Sequence, residues 1–360
     1  MSRFFAEKYQ NLKPYVPGEQ PKDKKYIKLN TNECPYPPTK KSAADAKFEA
    51  LDCYLYSDPD CTKLTNALAE FYNLQPDQVL VTNGSDEALD YAFKAFCTKE
   101  TGVAFPNITY GFYPVFAQAN GIPYTEIPLQ EDFTLNYQDY LGIHKNIVFA
   151  NPNAPTGMAI PRSQVEEILK SNPDNVVIVD EAYVDFGAES CVPLIDRYDN
   201  LLVTMTFSKS RSMAGARVGF IMGQAPLIAD LRTLKYSTNP YNVNRMSQAM
   251  ALAAVEDPSY FRNNCRAIQN ERKFTDDELT KRGFLVLPSQ ANFLFVQHAS
   301  IPAEEWYRLL REKGILIRHF SRPEIANWNR ITIGTQLEMI KLMKAIDEIL
   351  EEKRKHHENG

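Results

Sequence analysis

No stretch of this sequence stays apolar for anything near the roughly 18 residues that a membrane-spanning helix requires. Cysteine is sparse and scattered, at Cys34, Cys53, Cys61, Cys97, Cys191 and Cys265, and never in a Cys-x-x-Cys pair. That spacing excludes a zinc ribbon and a dithiol redox motif, and suits reduced thiols, several of them in the core. Histidine is equally scarce: there are five, two of them in the charged tail at His356 and His357, so no metal constellation can be drawn. Positive charge is not in excess either. Lys and Arg number 40 against 45 Asp and Glu, a net charge of −5, which argues against a nucleic-acid partner. Residues 1–8 hold no continuous apolar segment of the signal-peptide kind, so the expectation is a cytoplasmic protein without a membrane partner. Internal repeats and low-complexity tracts are missing as well.

What remains is an ordinary globular composition, 44% apolar and 24% charged over 360 residues, long enough for two domains. Residues 1–35 are rich in Pro, Lys and Asn; repeated proline disfavours regular structure, so this reads as an arm laid over something else. Short apolar runs then alternate with helical patterns. The strand candidates are Val79-Leu80-Val81-Thr82, Thr101-Gly102-Val103-Ala104-Phe105-Pro106, Asn146-Ile147-Val148-Phe149-Ala150, Asn175-Val176-Val177-Ile178-Val179, Leu201-Leu202-Val203-Thr204-Met205 and Val218-Gly219-Phe220-Ile221-Met222-Gly223. Alternation of this kind gives an α/β fold with a mostly parallel sheet. We expect a large domain over 36–243 and a smaller α+β domain over 244–360, with the arm of residues 1–35 packing on the latter. Ser163-Gln164-Val165-Glu166 and Thr335-Gln336-Leu337-Glu338 each read as a capping box opening a helix.

In a parallel α/β sheet, ligands collect at the carboxyl ends of the strands, and the chemically suggestive residues sit there. Val79-Leu80-Val81-Thr82 breaks at Asn83-Gly84-Ser85-Asp86-Glu87, a helix start that suits either an anion or plain capping by Ser85 or Asp86. Asp180 ends a wholly apolar strand, where a carboxylate needs a cation or hydrogen bonds. Ser208 and Lys209 follow another strand, with Arg217 two helical turns on, and Tyr110 offers an aromatic face. One ligand meets all these demands: pyridoxal 5′-phosphate, whose ring nitrogen pairs with an acid, whose phosphate takes a helix N-terminus and an arginine, and whose aldehyde condenses with a lysine.

Ser208-Lys209 followed by Ala214-Gly215-Ala216-Arg217-Val218-Gly219 resembles the lysine signature of fold-type I aminotransferases. With Leu29-Asn30-Thr31-Asn32-Glu33, Thr109-Tyr110-Gly111, Asp180-Glu181-Ala182-Tyr183, Ser289-Gln290-Ala291-Asn292-Phe293 and Gly314-Ile315-Leu316-Ile317-Arg318-His319-Phe320, the likeness narrows to the histidinol-phosphate aminotransferase family. The resemblance implies a fold-type I aminotransferase fold and amino transfer between L-histidinol phosphate and 2-oxoglutarate. An aromatic-amino-acid aminotransferase, a phospho-amino-acid decarboxylase and a non-catalytic cofactor-binding regulator are the alternatives. It implies that Lys209, Asp180 and Tyr183 are catalytic. It gives Gly84, Ser85, Asp86, Ser208 and Arg217 to the cofactor's phosphate and Tyr110 to its ring. Tyr15, Asn32, Arg318 and Arg330 are left for the substrates, Arg330 gripping a carboxylate. Tyr56 matches a tyrosine that reaches the neighbouring subunit of a homodimer. Two departures stand out. Ala154 occupies the place of an asparagine that contacts the cofactor's O3′, a contact the reading transfers to Asn153. Leu55 and Ser57 flank Tyr56 where Arg and Pro are usual.

Overall fold

The computed structural model describes residues 2–358. Strand β1 (Ile27–Lys28) lies within the N-terminal arm. Helices α1 (Lys40–Glu49) and α2 (Thr62–Tyr72) follow, and then the strands and helices of the main sheet. These are β2 (Val79–Thr82), α3 (Ser85–Phe96), β3 (Val103–Pro106), α4 (Tyr113–Asn120), β4 (Tyr124–Ile127), β5 (Asn146–Ala150), α5 (Arg162–Ser171), β6 (Val177–Asp180), β7 (Leu201–Thr206), β8 (Gly219–Gly223) and α6 (Ala225–Thr238). The remainder comprises α7 (Arg245–Glu256), α8 (Pro258–Lys281), β9 (Phe284–Val286), β10 (Phe293–His298), α9 (Ala303–Glu312), β11 (Ile315–Leu316), β12 (Arg318–His319), β13 (Asn329–Thr332) and α10 (Gln336–Glu358).

Seven strands form one sheet in the order β2-β8-β7-β6-β5-β3-β4. β5, β6 and β7 are buried along their whole length, as helices on both faces require. Alternate residues serve opposite cores: Ile147, Val177, Val179 and Val203 face one, Val148, Ile178 and Leu202 the other. β8 is antiparallel to both β2 and β7, so β2 ends at the same edge as the parallel strands. Registration at that edge places Asp180 between Ala150 and Thr204. The fold is thus the α/β architecture expected, with one reversed strand.

A four-stranded antiparallel sheet, β12-β13-β10-β9, builds the second unit with α8, α9 and α10. The arm runs along it: β1 pairs in parallel with β11, Leu29 is buried, and Glu19 takes Arg311 and Tyr307. A regular strand in a proline-rich segment was not expected; Ile27 and Lys28 lie between the prolines and find a free strand edge.

Two further expectations need correction. The boundary at 243/244 is too early, because Ala251, Ala254 and Val255 of α7 lie in the same core as β5, β6 and β7. The change of core comes at α8, where Phe261, Cys265 and Ile268 join the second unit. Ser163 does not cap α5, which starts at Arg162 behind Pro161 with no side-chain cap. Glu166 instead meets Tyr198 and Arg197. At α10 the reciprocal bonds do form, Thr335 N–H to Glu338 Oε2 at 2.7 Å and Glu338 N–H to Thr335 Oγ1 at 3.4 Å.

Candidate functional site

At the carboxyl edge of the main sheet, the chain turns directly from strand to loop or helix after β2, β5, β6 and β7. The ends converge on a cavity of about 100 Å³ lined by Ser85, Asp86, Tyr110, Asp180, Tyr183, Ser208, Lys209 and Arg217. Most of the residues singled out in the sequence therefore share one space.

Close backbone approach makes the anion end of this cavity. Gly84 precedes α3 with φ +85°, and no side chain caps the helix. Neither Ser85 nor Asp86 is a cap, so the first N–H groups of α3 are left toward the cavity. A Cβ on Gly84 would lie 2.6 Å from Arg217 Nη2. One on Gly219, at the start of β8, would lie 2.4 Å from the Gly84 carbonyl carbon and Ser85 N. Two glycines are needed here because helix start, strand and guanidinium are stacked at van der Waals distance. Arg217 itself adopts the left-handed region at φ 53°, and donates to Ser208 Oγ and Asp86 Oδ2, both at 3.2 Å.

At the opposite end, Asp180 is 4% exposed and has no cationic partner among the described residues. Tyr113 donates to its Oδ2 at 3.0 Å and the Ala182 N–H to its Oδ1 at 3.1 Å. Burial pushes its carboxyl up to about 6 against these bonds and that of the Thr204 hydroxyl, with Asp86 adding to the rise. Thr204, Asp180's neighbour in register, is buried with its hydroxyl beside the carboxylate. A buried acid seeking a cation, and an anion cradle across the same cavity, fit the two ends of a protonated pyridine phosphate. Lys209 lies between them, its Nζ donating to the Thr31 carbonyl at 3.2 Å and standing 5.6 Å from the centre of the Tyr183 ring.

Tyr110 donates to Asp86 Oδ1 at 2.8 Å and is held edge-on by Tyr113. Burial and Asp86 keep its hydroxyl well above the usual phenol range. Asn32 is not in the cavity. It sits behind Tyr183 in the left-handed region, donating to the Tyr183 hydroxyl at 3.0 Å and accepting from Thr332 Oγ1 at 2.9 Å. Its side chain therefore orients Tyr183.

Asn153 corrects the sequence reading more sharply. Its Oδ1 accepts from Thr109 Oγ1 at 3.0 Å, and its Nδ2 donates to the Ile108 carbonyl at 2.9 Å and Thr156 Oγ1 at 3.2 Å. The amide braces the 151–157 loop, and Ala154, not Asn153, lines the cavity. Tyr56 is also outside. It is 77% exposed and stacks on Tyr241 at 4.2 Å.

A second cavity of about 450 Å³ adjoins the first through Tyr110 and Ala154, and holds Tyr15, Arg318 and Arg330. Tyr15 leaves the arm to stack on Phe112 at 4.3 Å. Arg318 and Arg330 are directly cross-strand on β12 and β13. Neither makes an ion pair among the described residues. Arg318 donates to the Val16 and Pro17 carbonyls, Arg330 to the Asn30 carbonyl at 3.1 Å, and Arg330 Nε is buried without an acceptor. Burial lowers the pKa of Arg330, with Arg318 adding to the effect. Adjacent guanidiniums with carbonyls and the Phe293 and Phe320 rings but no carboxylate beside them make an anion receptor.

Sequence reasoning missed Tyr113, which stands three residues from Tyr110 at the start of α4, and the carbonyl of Thr31. Neither left a local signal, since the fold alone brings the Tyr113 hydroxyl to Asp180 and a backbone carbonyl has no residue type to read. No cluster of His, Cys, Asp and Glu able to hold a metal occurs among the described residues, and no helix there is long and apolar enough to cross a membrane.

Comparison with known proteins gives a consistent set of likenesses. Residues 24–346 match the family model described as aminotransferase class I and II. A protein of Brachyspira hyodysenteriae named histidinol-phosphate aminotransferase is 45% identical over 354 residues, 97% of this chain and 99% of the relative. One of Dechloromonas aromatica, named histidinol-phosphate aminotransferase 2, is 47% identical over the same coverage. The crystal structure of histidinol-phosphate aminotransferase from Sinorhizobium meliloti in complex with pyridoxal-5′-phosphate superposes with a TM-score of 0.88 over 98% of this chain and 99% of that one, at 23% identity.

Proposed function

The chain belongs to the class I and II aminotransferase family, and from that premise we propose that it moves an amino group between L-histidinol phosphate and 2-oxoglutarate with pyridoxal 5′-phosphate. The products are imidazole acetol phosphate and L-glutamate, a step of histidine biosynthesis, placed in the cytoplasm and involving only small-molecule substrates. One observation carries the choice of substrate. The cavity beside Lys209 is headed by two arginines without carboxylate partners, one with a buried unsatisfied Nε. Its walls are the rings of Tyr15, Tyr110 and Phe320. An anionic group on an aromatic substrate suits both features.

The cofactor, when bound, supplies the carbonyl that takes the amino group and a conjugated ring that withdraws electrons. The chain's own residues do the rest. The first turn of α3 from Gly84 to Asp86, with Ser208 and Arg217, holds the phosphate. Asp180, fixed by Tyr113, keeps a proton on the ring nitrogen. Tyr183, oriented by Asn32, faces O3′, and Tyr110 covers the ring. Lys209 would hold the cofactor's aldehyde carbon and would serve as the base that moves the substrate's Cα proton. Arg330 and Arg318 grip the phosphate of one substrate or a carboxylate of the other.

Aromatic walls also suit phenylalanine and tyrosine, so the decisive comparison is between donors. With 2-oxoglutarate as acceptor, kcat/KM for histidinol phosphate exceeds that for either aromatic acid by on the order of 10²-fold, the worth of a charge-assisted bidentate contact. Equal turnover would make the protein an aromatic-amino-acid aminotransferase.

The exposed Tyr56 belongs to an apolar strip with Phe48, Leu51, Tyr54 and Leu55. A strip of this kind calls for a partner, and we assign it to a second copy of the chain, with Tyr56 completing the neighbour's phosphate site. Mixing Tyr56→Phe with Lys209→Ala subunits then yields hybrid dimers with one intact site and recovered activity. Subunit exchange without recovery would place Tyr56 outside the site.

A further inference from the structure

Two residues beyond Lys209, an arginine is buried where no acid awaits it. Arg211 is 6% exposed and makes no ion pair among the described residues. Its guanidinium carbon lies 3.6 Å from the centre of the Phe261 ring, 5.0 Å from that of Phe71 and 5.8 Å from that of Phe207. Nη1 donates to the Ala254 carbonyl at 3.4 Å, and the guanidinium also hydrogen-bonds the Tyr72 hydroxyl on α2. The ring faces supply the negative potential that a carboxylate would otherwise give. These contacts come from different parts of the molecule. Phe71 is on α2, Ala254 near the end of α7, Phe261 in the first turn of α8, and Phe207 on the loop that carries Lys209. Phe71 packs against both the main core and that of the second unit, and Phe261 belongs to the latter.

An apolar side chain would fill such a space without the desolvation cost of a buried charge. What the guanidinium adds is direction. Ser210 donates to Asp185, just beyond the β6 turn that carries Asp180 and Tyr183, and the Ser212 N–H returns to the Lys209 carbonyl at 3.2 Å. Lys209 is thus held on one side by a hydrogen bond to the Asp180 segment, and on the other by Arg211 against the first turn of the helix that begins the second unit.

We propose that Arg211 is a positioning residue: its aromatic cage ties the placement of α8, and with it the arginine-bearing unit, to the placement of Lys209 over the reacting carbon. The proposal rests on the aminotransferase reading above and extends it to how the two cavities are kept in alignment. Arg211 touches neither cavity, so its effect falls on the chemical step and not on anion binding.

The test uses the holoenzyme. Arg211→Met keeps the bulk and the contact with the rings while removing the charge and the bonds to Ala254 and Tyr72; Arg211→Lys retains the cation. In Arg211→Met, kcat falls about 10- to 100-fold, the order that a small misplacement of a reacting group costs. KM for the amino donor stays within about twofold, and bound cofactor, read from its visible absorption, stays at the wild-type level. Arg211→Lys recovers most of kcat. Wild-type kcat in Arg211→Met overturns the proposal, as does a parallel loss of kcat and cofactor content that lysine does not restore, which describes a structural role alone. If Arg211→Met does not fold, Phe261→Leu keeps the arginine and removes its nearest ring; a fall in kcat at unchanged KM supports the proposal, and wild-type kcat overturns it. Failure of the aminotransferase reading would appear separately, as a wild-type protein without cofactor absorption or amino transfer.

Discussion

Lys209→Ala loses amino transfer by on the order of 10⁴-fold or more, because one side chain provides both the covalent anchor and the moving base. Among the described residues Lys209 Nζ hydrogen-bonds the Thr31 carbonyl at 3.2 Å, and Glu33, which feels its charge, keeps its pair with Lys28, so its loss leaves the fold intact. Cofactor is still retained through the α3 N-terminus, Ser208, Arg217 and Asp180, but its visible absorption changes because no lysine is attached. The two readouts separate anchoring from binding: cofactor content measured after denaturation stays near wild type, while the visible band is altered and turnover vanishes. An unaltered band in Lys209→Ala would assign the covalent link to another lysine and remove the centre of the site. Lys235, a fully buried lysine, serves as the comparison. Its Nζ donates to the Pro59 and Val81 carbonyls, and it lines neither cavity.

How far the sequence reveals this site depends on which part of it is asked. Apolar runs ending in Asp180, Ser208 and Asn151 disclose a parallel sheet, and the rule that ligands sit at carboxyl ends then brings Lys209, Asp180 and Gly84 together without any knowledge of distance. Edge strands are less legible: β4 exposes Tyr124, Thr125 and Glu126, so it has no buried alternation to read. The direct apposition of Arg318 and Arg330 depends on the antiparallel register of β12 and β13, which no local pattern encodes. The surroundings of Asn153 were not legible, because its bonds to Ile108, Thr109 and Thr156 depend on where the fold brings those partners. Tyr113 stayed hidden for the converse reason. It reads as an ordinary core aromatic, and only the fold brings its hydroxyl to Asp180, 67 residues away in sequence. Gly219 was legible as part of the lysine signature; its physical reason, the approach of β8 to the start of α3, is visible only in three dimensions.

Asp180→Asn should separate stability from function in opposite directions. Burial places the folded-state carboxyl at about 6, against 3.8 for the exposed group. Between those values the folded, cofactor-free protein binds a proton that the unfolded chain does not, so stability falls as pH rises through that window. Above it the full penalty of a buried, unpaired carboxylate is carried, about 3 kcal/mol for a separation of this size. Asparagine has no charge to desolvate. It keeps an acceptor for the Ala182 N–H and offers an amide to the Tyr113 hydroxyl, which can turn to accept. Cofactor-free Asp180→Asn is therefore more stable than wild type at pH 8, by up to about 3 kcal/mol, and the difference shrinks toward pH 4, where the folded-state Asp180 carries a proton and most of the penalty is gone. Denaturant midpoints of the cofactor-free proteins at the two pH values measure it. Activity moves the other way. Without a carboxylate to hold a proton on the ring nitrogen, the electron-withdrawing power that Lys209 works against is lost, and kcat falls about 10²- to 10⁴-fold. In wild type, bound cofactor supplies the missing cation and removes the penalty, so cofactor stabilises wild type more than Asp180→Asn above pH 6. A variant equally stabilised by cofactor, or less stable than wild type at pH 8, would mean that Asp180 is satisfied by Tyr113, Ala182 and Thr204 alone. A carboxylate so satisfied would have no need of a cofactor cation, and the pairing on which the site's chemistry depends would fall with it.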